Sequence, residues 1–421
     1  MLRNTLSLLI AFMLTLIPEV SLSLTLEEAL ARARESLSAY QAALLQVRSS
    51  QALYTASLGS YLPSLDASAS WSKSSTSAGS FDARTYDLTL SYTLFDWGGR
   101  RASRSIALFT LYSDREEVRK TLIDLEYNVK VSFYTSLAQG DLLTQRRIQL
   151  QDAQKVYEVA EGRRRFGVAR LSDVLQATVR LEQARFNVIQ AEGELTKALS
   201  DLNSLMGVAL DSRTELQGSL DGETRLPEKK LFLEAALERP EIRQAENTVH
   251  IAENNRKLIS STLYPSLAAS ASYTKTGGTV IGFSVPEEKT IAVTAVWNLF
   301  ELGKWYRLRS AGFEGDVSRQ RLSDLKRQVL LAVQKSYEDL VTSTNQLKVT
   351  QEQLRQAEHN YDQALGEYKV GKGDILSLVQ AESLLSNSRE QLIASRLNRI
   401  LSRLLLERAA GMHAAEEEYR R

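Results

Sequence analysis

The chain has 421 residues, 52 of them basic and 51 acidic, with three histidines and no cysteine. The balanced charge excludes the basic excess of a nucleic-acid binder. The missing cysteine excludes a disulfide framework, a thiolate metal site and a lipoprotein acylated at cysteine. His250, His359 and His413 are scattered through helical contexts, so no metal site is expected, because a metal needs converging ligands. No serine sits in a nucleophile elbow and no glycine-rich phosphate loop is present. The chain is therefore not expected to be an enzyme or to need a cofactor.

Residues 1–23 read as an export signal. Arg3 gives a positive start, an apolar run follows from Leu6 to Ile17, and Ser21 and Ser23 are small residues suited to cleavage after Ser23. The apolar run is shorter than the roughly 20 residues a spanning helix needs, and no later segment is apolar enough to span. Any membrane insertion must then use β-strands.

Beyond the leader the chain is duplicated. Leu62-Pro63-Ser64-Leu65 returns as Tyr264-Pro265-Ser266-Leu267, and Leu94-Phe95-Asp96-Trp97-Gly98 as Leu299-Phe300-Glu301-Leu302-Gly303. Phe166-Gly167 followed by Val174-Leu175-Gln176-Ala177 returns as Val370-Gly371 followed by Leu378-Val379-Gln380-Ala381, and Met206-Gly207 as Ala410-Gly411. Four landmarks in one order at offsets of 202 to 205 residues define an internal repeat. The first repeat covers 24–207 and the second 239–411. An irregular linker with Gly218, Gly222 and Pro227 occupies 208–238, and a tail occupies 412–421.

Within each repeat, a helix-forming composition rich in Ala, Leu, Glu, Gln, Arg and Lys is interrupted by a pair of strands. The first repeat begins with a helix over Leu26 to Leu58. Leu65, Ala67, Ala69 and Trp71 then alternate with polar residues, as do Tyr86, Leu88, Leu90, Tyr92 and Leu94. This period of two predicts strands at about 64–73 and 85–95. Leu267, Ala269, Ala271 and Tyr273, then Ile291, Val293, Ala295, Trp297 and Leu299, predict strands at about 266–275 and 290–299. About ten residues suffice to cross a bilayer at a tilt. Trp71, Tyr92, Trp97, Tyr273 and Trp297 lie toward strand ends, where interfacial aromatics belong. A soluble hairpin packed on a helix explains the alternation equally well, but not a polar face so rich in Ser and Thr. Four strands cannot close a membrane barrel and open edges are not tolerated in lipid, so the chain must oligomerise. Two copies give eight strands and three give twelve; a wide conduit favours three.

After each strand pair comes a long helical hairpin, over 100–206 and 304–410. The stretch from Arg100 to Phe166 reads as one helix of about 100 Å at 1.5 Å per residue, turning at Gly167. Val174, Leu181, Val188, Leu195 and Leu202 recur every seven residues, interleaved with Ala177, Ala184, Ala191, Ala198 and Leu205. Leu378, Leu385 and Leu392, with Ala381, Ser388 and Ser395, repeat the pattern, which is that of a coiled-coil seam.

The duplicated order of these motifs resembles the TolC-like outer membrane efflux protein family over nearly the whole mature chain. Arg239-Pro240-Glu241-Ile242 is similar to the family's start of a repeat, with proline at a first helical position; the first repeat has Leu37-Ser38-Ala39-Tyr40 there instead. The resemblance implies a mainly α fold with a membrane β-barrel portion. A homotrimer would join a twelve-stranded barrel to a twelve-helix α-barrel reaching into the periplasm. It further implies a channel subunit of a tripartite efflux or type I secretion system in the outer membrane. Its partners would be outer-membrane lipid, a periplasmic adaptor (membrane fusion) protein and an inner-membrane pump or ABC exporter. Adaptor docking would fall on the hairpin tips, at Gly167, Val168, Leu171 and Ser172 and at Gly371, Lys372, Ile375 and Leu376. The gate would involve Asp374, Ser377 and Gln380, with Asp173 hydrogen-bonded to Tyr368 as a latch. The family's arginine position is Gly373 in this chain, and Ser377 and Gln380 stand where acidic residues often do. A non-channel periplasmic coiled-coil adaptor or scaffold is the alternative.

Overall fold

The computed structural model describes residues 24–76, 79–212, 214–221, 225–278 and 287–412. The leader at 1–23, Gly222, His413 and the tail beyond Met412 lie outside the described residues. The elements run α1 (Leu26–Ser36), α2 (Ser38–Ala56), a 3₁₀ turn (Ser57–Tyr61), β1 (Ser64–Thr76), β2 (Gly79–Phe95), α3 (Gly99–Arg165) and α4 (Leu171–Met206). Then come α5 (Lys229–Ala236), α6 (Pro240–Ser261), β3 (Ser266–Gly278), β4 (Glu287–Val296), α7 (Leu302–Lys369) and α8 (Ile375–Ala409). The residues sort into two compact units, each drawing on both repeats.

One unit comprises Ala42–Thr121 and Leu237–Leu330 and holds the strands. They form a single antiparallel sheet in the order β1-β2-β3-β4. The pairing puts Leu65 opposite Leu90, Leu90 opposite Ala271 and Ala271 opposite Ile291, so the apolar positions of all four strands share one face. Asp66, Thr89 and Ser272 line up on the other face, where Asp87 accepts hydrogen bonds from Thr89 and Thr274, each at 2.8 Å. At Thr93/Phe95 the register slips, which brings Phe95 opposite Leu267 on the apolar face. The fourth strand ends at Val296, short of the expected 299, because the chain must turn into α7 at Leu302. Trp97 takes a left-handed φ of 53°, a conformation costing about 1–2 kcal/mol for a side-chain-bearing residue. Its indole Nε1 donates to the Pro265 carbonyl at 2.7 Å and its ring stacks on Tyr264 at 4.8 Å, which hold it there. Helix α2 packs on α3 through Ser50 Oγ to Asp114 at 2.6 Å, and α6 on α3 through Gln244 to Glu117 at 2.8 Å.

The other unit comprises Met1–Gln41, Leu122–Ala236 and Leu331–Arg421. Its base is a core of Ala29, Leu30, Ala33, Val129, Phe133, Leu202 and Met206. Helix α1 starts in a capping box, where Thr25 and Glu28 exchange hydrogen bonds at 3.3 Å, and it stops at Leu37. One expected helix over 26–58 is thus two, since Leu37 is extended and Ser38 starts α2. The segment 208–238 is also more ordered than an irregular linker. It contains α5, and Leu24 bridges Leu216 in parallel. Fully buried Asn203 organises it, donating to the Ser212 carbonyl at 3.0 Å and accepting from Thr214 at 3.1 Å. Most of both seven-residue seams lies inward: Val174, Leu181 and Leu202 with Ala177, Ala184, Ala191 and Ala198, and Leu378, Leu385 and Leu392 with Ala381, Ser388 and Ser395, are buried, while Val188, Leu195 and Leu205 are half-buried.

Candidate functional site

The two hairpin tips turn as glycine requires. Gly167 sits at φ 74° and Gly371 at φ 80°, where a β-carbon is strained. The Val168 and Gly167 amides close the first turn on Arg163 and Arg164 carbonyls at 2.9 Å, and Lys372 and Gly373 close the second on the Glu367 carbonyl at 3.0 and 3.1 Å. Asp173 accepts from the Arg170 amide at 3.2 Å and so caps its own helix α4. Asp374 does the same for α8, accepting from the Ser377 amide at 2.7 Å, which holds its carboxyl below the usual range of 3.8. Of the expected docking residues, Gly167, Val168, Leu171, Ser172, Gly371, Lys372 and Leu376 are exposed. Ile375 is not: it is buried in the core with Val174, Tyr368 and Leu378, because its position in the first turn of α8 points at the other hairpin. Ser377, Gln380 and Asp374 are exposed.

The expected Asp173–Tyr368 hydrogen bond does not form. Tyr368 is 2% exposed and its hydroxyl has no hydrogen-bond partner among the described residues, while Asp173 is committed to its cap. Burial pushes the Tyr368 phenol up; Arg163 opposes this, and Asp173 adds to it. What holds Tyr368 is Arg163, at the end of α3. Its guanidinium donates to the Tyr368 carbonyl and lies 4.6 Å over the ring centroid, a cation–π contact. Gly373 is tightly packed, so that a side chain there would push the turn aside by a few tenths of an ångström. A β-carbon there would stand 3.1 Å from the Tyr368 amide nitrogen and 3.3 Å from the Glu367 backbone. The cation comes instead from the opposite hairpin.

Further along the hairpins, several ion pairs tie α8 to its neighbours. Arg180 on α4 pairs with Glu382, Arg146 on α3 with Glu390 at 2.6 Å, and Arg389 with Asp152 on α3 at 3.7 Å. Burial, with Asp152 and Glu382 nearby, pushes the adjacent Tyr361 phenol up to about 12. Sequence spacing does not reveal this cluster, because the partners of each pair lie on different helices.

On the sheet, Trp71, Trp97 and Trp297 are exposed and Tyr92 and Tyr273 half-buried. Trp71, Tyr92 and Tyr273 lie on the apolar face, joined there by Tyr86, also exposed, which was legible in the alternation but not singled out. Trp97 and Trp297 lie just beyond the strands, with Trp297 Nε1 donating to the Leu263 carbonyl at 3.1 Å. No group of three or more potential metal ligands occurs among the described residues, and no described helix is long and apolar enough to cross a membrane.

The family described as outer membrane efflux protein matches residues 25–208 and 231–412, once per repeat. The chain is 26% identical to the pyoverdine export outer membrane protein OpmQ of Pseudomonas aeruginosa over 342 residues, covering 78% of this chain and 70% of that one. It is 25% identical to the protein CyaE of Bordetella pertussis, covering 74% and 67%. Among solved structures, the fold matches CusC with a TM-score of 0.82 at 19% identity, covering 92% of each chain. It matches the outer membrane protein VceC of Vibrio cholerae with a TM-score of 0.81 at 18% identity, covering 92% of this chain and 96% of that one.

Proposed function

The chain belongs to the outer membrane efflux protein family, and from that premise we propose that it is the outer-membrane channel subunit of a tripartite efflux or type I secretion assembly. The observation that carries the reading is the sheet. Its four strands have one apolar face edged by aromatics, one Ser/Thr-rich face, and no partner for the outer edges of β1 and β4 among the described residues. In lipid such edges must be paired. Three copies of four strands close a twelve-stranded barrel with the polar faces lining a wet lumen. That lumen face carries Asp66, Asp87 and Glu288 and no Lys or Arg among the described residues, which favours cationic over anionic solutes. Exposed apolar residues on the helices, Leu175, Val179, Phe186 and Ile189 on α4 and Trp305, Tyr306 and Phe313 on α7, supply further surface for neighbouring copies. The exposed tip residues are the docking site for a periplasmic adaptor that couples the channel to an inner-membrane pump, and the helices reach into the periplasm toward it.

The test is fractionation followed by planar-bilayer recording. The expected outcome is extraction with outer membranes as an SDS-resistant trimer that conducts. A soluble, non-conducting chain would favour the coiled-coil scaffold instead.

The gate rests on the Arg163–Tyr368 contact. Arg163→Ala removes a cation from a half-buried tip and is expected to raise single-channel conductance several-fold. Tyr368→Phe deletes an unpaired hydroxyl, keeps the ring and carbonyl that Arg163 grips, and is expected to leave the pore closed. Conductance of Arg163→Ala equal to wild type would remove the clamp from the gate.

A further inference from the structure

The apolar face of the sheet ends in a second band, made of cations. On each strand the position two residues beyond the last large apolar side chain, toward the β1–β2 and β3–β4 connections, is basic. Lys73 follows Trp71, Arg84 lies beyond Tyr86, Lys275 follows Tyr273 and Lys289 lies beyond Ile291. The strand register places Arg84 opposite Trp71, Lys275 opposite Tyr86 and Lys289 opposite Tyr273. The cations thus run diagonally across the sheet, one per strand, parallel to the diagonal of Trp71, Tyr86, Tyr273 and Ile291 beside them. A diagonal of that order is what a ring at constant depth becomes when barrel strands tilt by about 35–45°. All four basic side chains are exposed.

Two carboxylates share this rim. Asp82 stands opposite Lys73, and Glu287 lies 3.7 Å from Lys275. Four cations against two anions leave a positive excess, on the end of the sheet away from the helices that flank it in the chain. The opposite end of the face carries aromatics without such a row.

We infer that this rim binds the phosphate groups of anionic lipid headgroups in the leaflet facing away from the periplasm. The inference rests on the sheet lying in the membrane. Large apolar side chains, three of them aromatic, set the depth of the hydrocarbon boundary, and the cations lie about 6–7 Å further along each strand, hence about 5 Å further out at that tilt, at headgroup depth. Ammonium and guanidinium groups at that depth meet phosphate oxygens with charge-assisted hydrogen bonds. In a trimer the band encircles the barrel.

The full-length protein is reconstituted in phosphatidylcholine nanodiscs with traces of either a diphosphorylated glycolipid or the same lipid stripped of its phosphates. Lipid retained per protomer is counted after detergent exchange. The expected result is at least tenfold greater retention of the phosphorylated form. The variant Lys73→Gln/Arg84→Gln/Lys275→Gln/Lys289→Gln falls to the level of the stripped lipid, whereas Arg256→Gln/Lys257→Gln on α6 does not. Equal retention of the two lipids by the wild-type chain overturns the inference, and this arm decides even when the variant misfolds. A chain that fails to enter the nanodisc at all overturns the membrane reading and the inference with it. Insertion without discrimination sinks the inference alone.

Discussion

Leu90→Arg is expected to prevent the chain from assembling in membranes. Leu90 lies mid-strand on the apolar face, opposite Leu65 and Ala271 and between Tyr86 and Tyr92. An arginine on the lipid face near the bilayer midplane costs about 2–4 kcal/mol, and a ring of identical subunits incurs that cost in every copy. Ser270→Arg, on the polar face opposite Ser91, enters water instead and is expected to fold near normally while shifting selectivity toward anions. Folding into phosphatidylcholine vesicles across a urea titration distinguishes them. Leu90→Arg folding at the same urea concentration as wild type would show that this face does not meet lipid.

The second large effect is expected at Glu382. Its side chain is 4% exposed and pairs with Arg180, itself 17% exposed, across the two hairpins. Glu382→Ala leaves a guanidinium desolvated without its partner, a loss of about 3–5 kcal/mol. Arg180→Met/Glu382→Leu replaces both charges with apolar groups of similar volume and is expected to recover most of that loss. Thermal denaturation of the wild-type chain and the two variants checks this. A single variant no less stable than the double would mean that the pair is hydrated and weak.

The fold was legible where one periodicity dominates. Alternation from Leu65 to Trp71 and from Tyr86 to Tyr92 located the strands, and the seven-residue spacing from Val174 to Leu202 located the buried seam, because burial on one face imposes a repeat on the chain. The break at Leu37 was hidden: no proline or glycine marks it, and the extended residue is an ordinary leucine. Helix α5 was hidden by the prolines and glycines around it. At the tip, the sequence named Tyr368 and Asp173 but not what they touch. Asp173 is three residues after the N-cap Arg170, so the local cap wins it, and Arg163 comes from a different hairpin, a proximity that no spacing encodes. The Arg180–Glu382 pair escaped for the same reason, since its two residues come from different hairpins 202 positions apart.

The open sheet has two unlike edges, β1 on one side and β4 on the other. An assembly that joins β4 of one copy to β1 of the next uses a head-to-tail contact that closes only as a ring. Every subunit is then both donor and acceptor, and no surplus edge exists to bypass a bad one. A cell carrying one normal and one strand-damaged allele would therefore not retain half its channels, since each damaged chain spoils every ring it joins. In the proposed ring such a lesion would be dominant-negative, with a severity that grows with the number of copies per ring.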